Sequence, residues 1–180
     1  TDKCFLIFND TRRFGLLTYC ESDKLGQNPF LAHTGVDPFD NALSADYLHS
    51  RLNKKKIPVK TALLDQSIIC GIGNIYASEI LYLARISPLR PADKISPEEC
   101  GILIEKTREV LKKAIAAGGS TIHDYKKPDG SLGYFQNMHC VYNKTGQQCP
   151  DCTCDLNKNG GIRKIVQAGR STFYCPIIQK

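Results

Sequence analysis

The chain has 180 residues, of which 42% are hydrophobic and 23% charged, and a formal net charge of +6. This composition excludes a fully disordered chain, and the lack of any apolar stretch near the roughly 20 residues that span a bilayer excludes a membrane helix. The basic excess suits a phosphate-bearing partner, although many proteins with other partners share it. The length allows one substantial core or two small ones.

Two short apolar runs, at residues 4–8 and 14–19, predict a β-hairpin with a polar tip. Because a lone hairpin is only marginally stable in water, we expect it to belong to a larger sheet whose other strands lie outside this sequence. Residues 21–41 are rich in glycine, proline, aspartate and asparagine, and this composition predicts an extended linker.

Helical periodicity starts at Ser44, and a second helix follows Pro58. The run Gly71-Ile72-Gly73-Asn74 interrupts the pattern before a third helix. Ser96-Pro97-Glu98-Glu99 combines an N-cap, a first-turn proline and a capping-box glutamate. This signal predicts a fourth helix that ends at Gly118-Gly119.

The helical period disappears after Phe135. Three short runs, at residues 139–142, 162–166 and 171–174, predict strands separated by turns and cysteines. We interpret this tail as a small β module that is, or once was, stapled by a metal ion.

Four cysteines near the end of the sequence are candidate metal ligands. Cys149-Pro150-Asp151-Cys152 is half of a zinc-knuckle pattern, in which two thiolates bind one Zn²⁺. The second half, Cys175-Pro176-Ile177-Ile178, lacks its final thiolate. Cys154 could complete the set Cys149, Cys152, Cys154 and Cys175, although ligands one residue apart are strained, and His139 is a remote alternative. Without an export signal, a metal site is favoured over disulfides.

The Gly71-Ile72-Gly73-Asn74 turn is a candidate binding element. Its glycines let another backbone approach, and the free N–H groups of the helix that follows favour an anion such as phosphate. Asn74 could cap the helix or donate to a phosphate oxygen. Lys54-Lys55-Lys56 and Lys60 lie close in sequence, so one phosphate-binding face could use both elements. Alternatively, the glycines only join two packed helices and the lysines are a solvated surface.

Two predicted hairpin tips carry arginine. Arg12-Arg13-Phe14 could hydrogen-bond base edges and wedge a ring into a base stack, or Phe14 could lie in the core. Arg170, near the turn of the last hairpin, could clamp a phosphate. The sequence shows no nucleophilic Ser/His/Asp arrangement, no Walker-type loop and no paired carboxylates suited to acid–base catalysis.

Five motifs in order resemble those of formamidopyrimidine-DNA glycosylases over nearly the whole chain. They are Asp10 to Gly15, with Thr11 in place of the family's proline, Leu63-Leu64-Asp65-Gln66 with Gly71 to Ala77, Gly118 to Thr121, Gly133-Tyr134-Phe135 with Val141-Tyr142, and Gly169 to Cys175. The resemblance implies an α+β fold in three parts: the end of an N-terminal β-sandwich with a linker (residues 1–41), a helix-two-turn-helix DNA-binding domain (42–135) and a zinc-finger-like β-hairpin (136–180).

The resemblance implies damaged-DNA binding and base-excision repair. The intact enzyme would excise oxidised purines and cleave the strand as an AP lyase, with double-stranded DNA carrying an oxidised base or abasic site as partner and Zn²⁺ as cofactor. A loop over about residues 123–134 would close over the extruded base. The resemblance assigns DNA contacts to six residues: Arg12, Phe14, Lys60, Gly73, Asn74 and Arg170. Arg12 would fill the hole left by the base, and Phe14 would wedge beside it. The residues of the loop are His123, Tyr125, Gly133 and Tyr134.

Two departures from the family pattern limit these expectations. The family's nucleophile is an N-terminal proline followed by glutamate, whereas this sequence begins with Thr1-Asp2, so we expect no catalytic residue and no proline chemistry in this chain alone. Ile178 replaces the finger's last cysteine, and Lys158 falls where a cysteine often lies, which argues against a complete zinc site.

Other interpretations stay open. A non-catalytic binder of lesion-containing or abasic DNA would fit the same sequence, as would a decayed chain without a stable fold. A sister specificity for oxidised pyrimidines is disfavoured by Arg12-Arg13-Phe14, which resembles the loop of the purine branch. We expect a cytoplasmic, nucleoid-associated monomer that does not contact membranes.

Overall fold

The computed structural model describes residues 6–8, 10, 13–121, 130–152 and 155–180. The chain divides into two compact units, Thr1–His33 and Thr34–Lys180. The domain boundaries predicted after residues 41 and 135 stay predictions. None of the described helices is long and apolar enough to cross a membrane.

The first unit contains a 3-10 helix, Ser22–Gln27, and no strand among its described residues. The predicted N-terminal hairpin is therefore wrong, because residues 6–8 and 14–19 carry no strand and are exposed; residues 4 and 5 lie outside the described part of the chain. A hairpin needs further strands or a packing helix to be stable, and the described part of this unit supplies neither. The expected end of a β-sandwich is accordingly not part of the described fold.

The second unit is mainly helical, with a β-hairpin near the end of the chain. Its elements in chain order are α1 (Ala45–Leu52), α2 (Val59–Leu63), α3 (Asn74–Leu83), α4 (Pro97–Ala116), α5 (Leu156–Asn159), β1 (Arg163–Gln167) and β2 (Arg170–Tyr174), with 3-10 turns at Ala92–Lys94 and Phe135–Met138. The helical and hairpin parts of the predicted α+β fold are confirmed.

Local capping explains where the first and last long helices begin. Ser44 Oγ accepts a hydrogen bond from Tyr47 N at 3.1 Å at the start of α1. At the start of α4, Ser96 Oγ accepts from Glu99 N at 3.2 Å and the Glu99 carboxylate accepts from Ser96 N at 3.0 Å. This is the predicted capping box, in which each residue satisfies a backbone donor that the helix leaves unpaired.

Helix α3 lies at the centre of the second unit and packs against α2, α4 and β2. Its sequence is apolar on nearly every side, and Ala77, Ile80, Leu81 and Tyr82 are fully buried. A helix that is hydrophobic all round is expected to be buried. Because α3 contacts both the helical core and the hairpin, it determines where the hairpin lies.

The two strands predicted near the end of the chain pair antiparallel, with Arg163 opposite Tyr174 and Gln167 opposite Arg170. The hairpin packs on a second apolar cluster that is separate from the helical core. Its buried members are Tyr82, Val141, Cys149, Ile162, Phe173 and Cys175.

The strand predicted over residues 139–142 is not formed. The N–H groups of Cys140, Val141 and Tyr142 donate instead to the Glu79 carboxylate, at 2.6, 3.0 and 2.8 Å. Backbone donors that a side chain occupies are not available to a sheet ladder. The contact spans 61 to 63 positions of sequence, so a local apolar pattern cannot reveal it.

The turn of the hairpin places a non-glycine residue in the left-handed region, since Ala168 has φ +46° and Gly169 has φ +72°. Two-residue hairpin turns of this type favour asparagine followed by glycine. We expect Ala168→Asn to raise the free energy of unfolding by about 0.5 kcal/mol, as measured by urea denaturation. As the matched control, Gly169→Ala should lower it by about 1 kcal/mol, and equal effects of both substitutions would contradict the strain argument.

Candidate nucleic-acid interface

Lys60 and Asn74 meet the hairpin in one hydrogen-bonded group. Lys60 Nζ donates to Asn74 Oδ1 at 2.5 Å, to Thr172 Oγ1 at 2.8 Å and to Ser171 O at 3.3 Å. Asn74 Nδ2 donates to Ser171 O at 2.9 Å and to the Tyr142 hydroxyl at 3.4 Å. We call Lys60, Asn74, Ser171 and Thr172 the lysine–asparagine cluster. It joins α2, the first residue of α3 and β2 at one point.

Lys60 is buried, and its ammonium group has no acidic partner among the residues that the structure describes. Lys60 is 1% exposed, and none of the ion pairs in the described part of the chain involves it. Burial first, and the nearby positive charge of Arg170 second, lower the pKa of Lys60 from 10.5 to about 8. At neutral pH it is therefore a hydrogen-bonded cation, and the site favours the approach of an anion.

The glycine turn before α3 is held by one side chain and is open on its outer side. Gln66 Oε1 accepts from Gly71 N at 2.8 Å, and Gln66 Nε2 donates to Ile72 O at 3.0 Å. Gly71 has φ +79°, whereas Gly73 has φ −100°, so only Gly71 uses the left-handed region. A Cβ at Gly71 or Gly73 would meet no atom within 4 Å. Since Gly73 provides no side-chain cap, another backbone can approach the N-terminus of α3 closely.

Exposed positive charge lies next to the lysine–asparagine cluster in sequence. Arg170, the first residue of β2, is exposed and precedes Ser171. Of the lysine run before α2, Lys54 and Lys56 are exposed, while Lys55 forms a 3.2 Å ion pair with Asp65. The predicted basic run is thus partly a structural contact and partly a solvated surface.

The proposed lesion loop is only partly described. His123 and Tyr125 lie outside the described residues. Gly133 is tightly packed, because a Cβ at this position would lie 2.2 Å from Gly119 O. The N–H of Gly133 donates to Thr121 Oγ1 at 2.8 Å. These contacts hold the described residues on either side of the loop together. Tyr134 is 62% exposed.

The arginine and phenylalanine predicted to enter DNA belong to the first unit. Arg12 lies outside the described residues. Phe14 is 83% exposed, so the alternative that buries it in a core is wrong. Asp10 Oδ2 accepts from Gly15 N at 2.5 Å, and Arg13 N donates to Asp10 O at 3.2 Å. These bonds link Asp10 to the described residues on either side of Phe14.

Sequence reasoning missed Glu79, which holds the segment after the lesion loop against α3. Glu79 is 2% exposed, and its carboxylate accepts from the three backbone N–H groups of residues 140–142. Through Tyr142, this contact also places a hydroxyl beside Asn74. The signal that could have revealed this role was a single acidic residue in a mostly apolar helix. A carboxylate buried in such a helix requires hydrogen-bond partners elsewhere in the chain.

A ladder of aromatic rings, also missed, connects α3 with β2. Successive ring centroids lie 5.7, 5.4, 5.6 and 4.8 Å apart along Tyr76, Phe135, His139, Tyr142 and Phe173. His139 Nε2 lies 3.2 Å from Ser120 Oγ, and burial lowers the pKa of His139. The remote alternative for His139 as a metal ligand is not supported, because it lies in this ladder and not among the cysteines.

Three of the four predicted metal ligands come together. The Sγ atoms of Cys149 and Cys152 lie 2.9 Å apart, and they lie 3.4 and 3.6 Å from Cys175 Sγ. We call these three residues the sulfur cluster; its geometry could hold a metal ion. Cys154 lies outside the described residues. Ile178, which stands at the expected position of the fourth thiolate, packs against the surrounding apolar cluster.

The family model of the formamidopyrimidine-DNA glycosylase H2TH domain matches residues 34–126, which include the glycine turn and α1 to α4. Formamidopyrimidine-DNA glycosylases from Rhodospirillum rubrum and Agrobacterium fabrum are 49% and 47% identical to the chain over 168 and 185 residues. The alignments cover 93% and 99% of this chain but 60% and 61% of those proteins. The chain thus spans about 60% of the length of these curated relatives.

Solved structures of formamidopyrimidine-DNA glycosylases share the fold of this chain. MutM (Fpg) from Thermus thermophilus has a TM-score of 0.82 and 40% identity, covering 94% of this chain and 62% of that one. The Lactococcus lactis Fpg in complex with DNA that contains an abasic site has a TM-score of 0.76 and 33% identity, covering 88% and 56%. Since the H2TH model matches more than half of the sequence, the chain belongs to the formamidopyrimidine-DNA glycosylase family.

Proposed function

We propose that this chain supplies the DNA-binding surface of a base-excision repair glycosylase that removes oxidised purines and cleaves the strand as an AP lyase. The observation that carries the proposal is the lysine–asparagine cluster. There the buried cation of Lys60 lies at the start of α3, and Arg170 directly precedes Ser171 of the cluster. Lactococcus lactis Fpg has been solved with DNA containing an abasic site and with DNA containing Fapy-dG, which supports damaged duplex DNA as the partner.

A DNA phosphate would bind where the open glycine turn, Asn74 and Arg170 converge. The first-turn N–H groups of α3 and the helix dipole favour a negative charge there, and the guanidinium can bind two phosphate oxygens. Lys60 lies behind Asn74 and contributes charge without being exposed. Arg12 would fill the space left by the extruded base, and Phe14 would wedge beside it.

We assign no bond-breaking step to a residue of this chain. In the family that the sequence resembles, a proline amine attacks the sugar and forms a Schiff base. The residues named here would bind and orient the DNA. The same surface would serve a non-catalytic binder of lesion-containing or abasic DNA, so its first test is binding. We propose that the protein acts as a monomer in the cytoplasm, at the nucleoid.

The sulfur cluster is proposed as the metal centre of the finger. Cys149, Cys152 and Cys175 match three of the four thiolates of a structural zinc site, whereas the fourth position holds Ile178. A bound Zn²⁺ would crosslink the Cys149-Cys152 turn to the residue that follows β2. That crosslink would hold the hairpin, and with it Arg170, in place.

Replacing Arg170 with alanine tests the binding proposal. We expect the Kd for a duplex that contains an abasic-site analogue to rise about tenfold and the slope of log Kd against log salt to fall by about 1, because one phosphate contact is lost. Fluorescence anisotropy at several salt concentrations measures both quantities. Lys112→Ala, which removes an exposed charge from α4, is the matched control, and an equal effect of the two substitutions would contradict a specific role of Arg170.

A further inference from the structure

Residues 34–36 run beside residues 66–70, the segment that leads from α2 to the glycine turn. We call residues 34–36 the strap. Three backbone hydrogen bonds join the strap to the segment: Gly35 N to Gln66 O at 2.7 Å, Val36 N to Ile68 O at 3.3 Å and Cys70 N to Val36 O at 3.1 Å. Val36 and Ile69 form a parallel β-bridge. The strap therefore holds the segment along its length.

Gly35 lies too close to the segment for a larger residue to fit. A Cβ at this position would lie 2.4 Å from both the carbonyl carbon and the oxygen of Ile68 and 2.8 Å from its nitrogen. These are backbone atoms, so no side-chain rotation relieves the contact. Gly35 is not in the left-handed region, so the close approach requires a glycine here and the backbone conformation does not. A Cβ would push the strap and the segment apart by about 1 Å, which restores ordinary contact at 3.4 Å.

A shift of the segment reaches the glycine turn through Gln66. The backbone oxygen of Gln66 binds the strap, while its side chain binds Gly71 N and Ile72 O of the turn at 2.8 and 3.0 Å. Cys70, which is bound to the strap, directly precedes Gly71. Hydrogen bonds of this length that stretch by about 1 Å exceed about 3.5 Å and are no longer formed. The position of the turn thus depends on the strap.

Helix α1 holds the same segment by two side chains. The Tyr47 hydroxyl donates to Ile68 O at 2.9 Å, and Arg51 Nη2 donates to Ser67 O at 3.0 Å. The oxygen of Ile68 therefore accepts from α1 and, through Val36 N, from the strap. Removing the Tyr47 hydroxyl would loosen this carbonyl without adding an atom at the strap.

We propose that Gly35 is a positioning residue for DNA binding, which keeps the strap, Gln66 and the glycine turn in place so that the N-terminus of α3 meets a DNA phosphate. This inference rests on the proposed function. Gly35 acts through Gln66 and not by contact with the DNA. The phosphate at the turn is the one that Arg170 would bind, so a displaced turn would weaken the contact of the guanidinium as well.

The test measures the Kd of the chain for a duplex that contains an abasic-site analogue, by fluorescence anisotropy at several salt concentrations. The variants are Gly35→Ala, Tyr47→Phe and Gly35→Ala combined with Arg170→Ala. Gly101→Ala is the matched control, because a Cβ at this glycine of α4 would lie 4.0 Å from Ala45 Cβ, which is ordinary contact. Stoichiometric titration gives the fraction of each chain that can bind DNA, so that partial unfolding is distinguished from weaker binding.

We expect the Kd of Gly35→Ala to rise about tenfold and the slope of log Kd against log salt to fall by about 1, with no change in Gly101→Ala. Loss of folded chain would lower the binding fraction but leave the slope unchanged. Tyr47→Phe should raise the Kd about threefold, because one hydrogen bond to the segment is lost. In the combined variant the slope should fall by about 1 in total, because both changes affect the same phosphate contact.

An unchanged slope in Gly35→Ala would overturn this inference alone, provided that the wild type binds the duplex. If Gly35→Ala does not fold, Tyr47→Phe decides, and an unchanged Kd in that variant would overturn the inference. A slope that falls by about 2 in the combined variant would do the same, since Gly35 would then act on a different phosphate from Arg170. A wild-type chain that does not bind the duplex would overturn the proposed function and this inference with it.

Discussion

Replacing Glu79 with alanine is expected to lower the free energy of unfolding by about 3 kcal/mol, measured by urea denaturation. The substitution leaves the N–H groups of residues 140–142 without their acceptor, in one buried and two part-buried contacts, and an unsatisfied buried donor costs about 1 to 3 kcal/mol. Partial relaxation and entry of water keep the cost per donor near the lower end of this range. The segment that carries His139 and Tyr142 would lose its anchor on α3.

Two controls separate this contact from a general effect of removing a negative charge. Glu79→Gln keeps the length of the side chain and one carbonyl oxygen, but it directs an amide N–H₂ group at backbone donors, so we expect a loss of about half that size. Glu105→Ala removes a side chain that is 69% exposed, and we expect a change below about 0.5 kcal/mol. If Glu79→Ala lowered the free energy of unfolding by less than about 0.5 kcal/mol, the result would contradict the role assigned to the carboxylate.

The burial of Lys60 is expected to make stability rise with pH. Its pKa is lowered to about 8 in the folded protein, against 10.5 in the unfolded chain. Between these values the unfolded chain binds more protons, so the free energy of unfolding increases with pH. Below pH 8 both states are protonated and the full penalty of the buried charge applies. The contribution of Lys60 should therefore increase by up to about 3 kcal/mol between pH 8 and 10.5.

Other buried groups titrate in the same window with the opposite sign. Burial raises the pKa of Tyr82 and of the thiols of Cys100 and Cys140, so their contributions fall as pH rises. The quantity to measure is thus the stability of the wild type minus that of Lys60→Met, by urea denaturation from pH 7 to 10.5. This difference should increase with pH, whereas the corresponding difference for the exposed Lys54→Met should stay level. A constant difference for Lys60→Met would contradict the lowered pKa.

The parts of the fold that the sequence predicted are those specified by neighbouring residues. The start of α4 follows from Ser96 and Glu99, which are three positions apart, and the last hairpin follows from two apolar runs around a turn. The strand at residues 139–142 was wrong because its backbone donors bind Glu79, a contact that no local pattern contains. The N-terminal hairpin was wrong because its apolar pattern requires partner strands that the described part of its unit does not contain.

The candidate site, too, was predictable only where neighbouring residues specify it. Lys60 and Asn74 were singled out by their motifs, but their junction with Ser171 and Thr172 spans 97 to 112 positions. Closeness in sequence suggested one phosphate-binding face for Lys60 and the turn that holds Asn74, but periodicity and composition say nothing about contacts over 97 to 112 positions. Only the resemblance added the last hairpin to the same DNA-binding surface. The apolar surroundings of the sulfur cluster depend on how α3 packs against the hairpin, although Ile178 itself was visible as a departure from the expected pattern.

The measurement that tests the central claim most directly is the Kd of the purified chain for a duplex with one abasic-site analogue, compared with the same duplex undamaged, over a range of salt. If the lysine–asparagine cluster and Arg170 form a damaged-DNA surface, the abasic duplex should bind at least tenfold more tightly, with a steep loss of affinity as salt increases. Equal affinity for both duplexes, or no binding at low salt, would contradict the account.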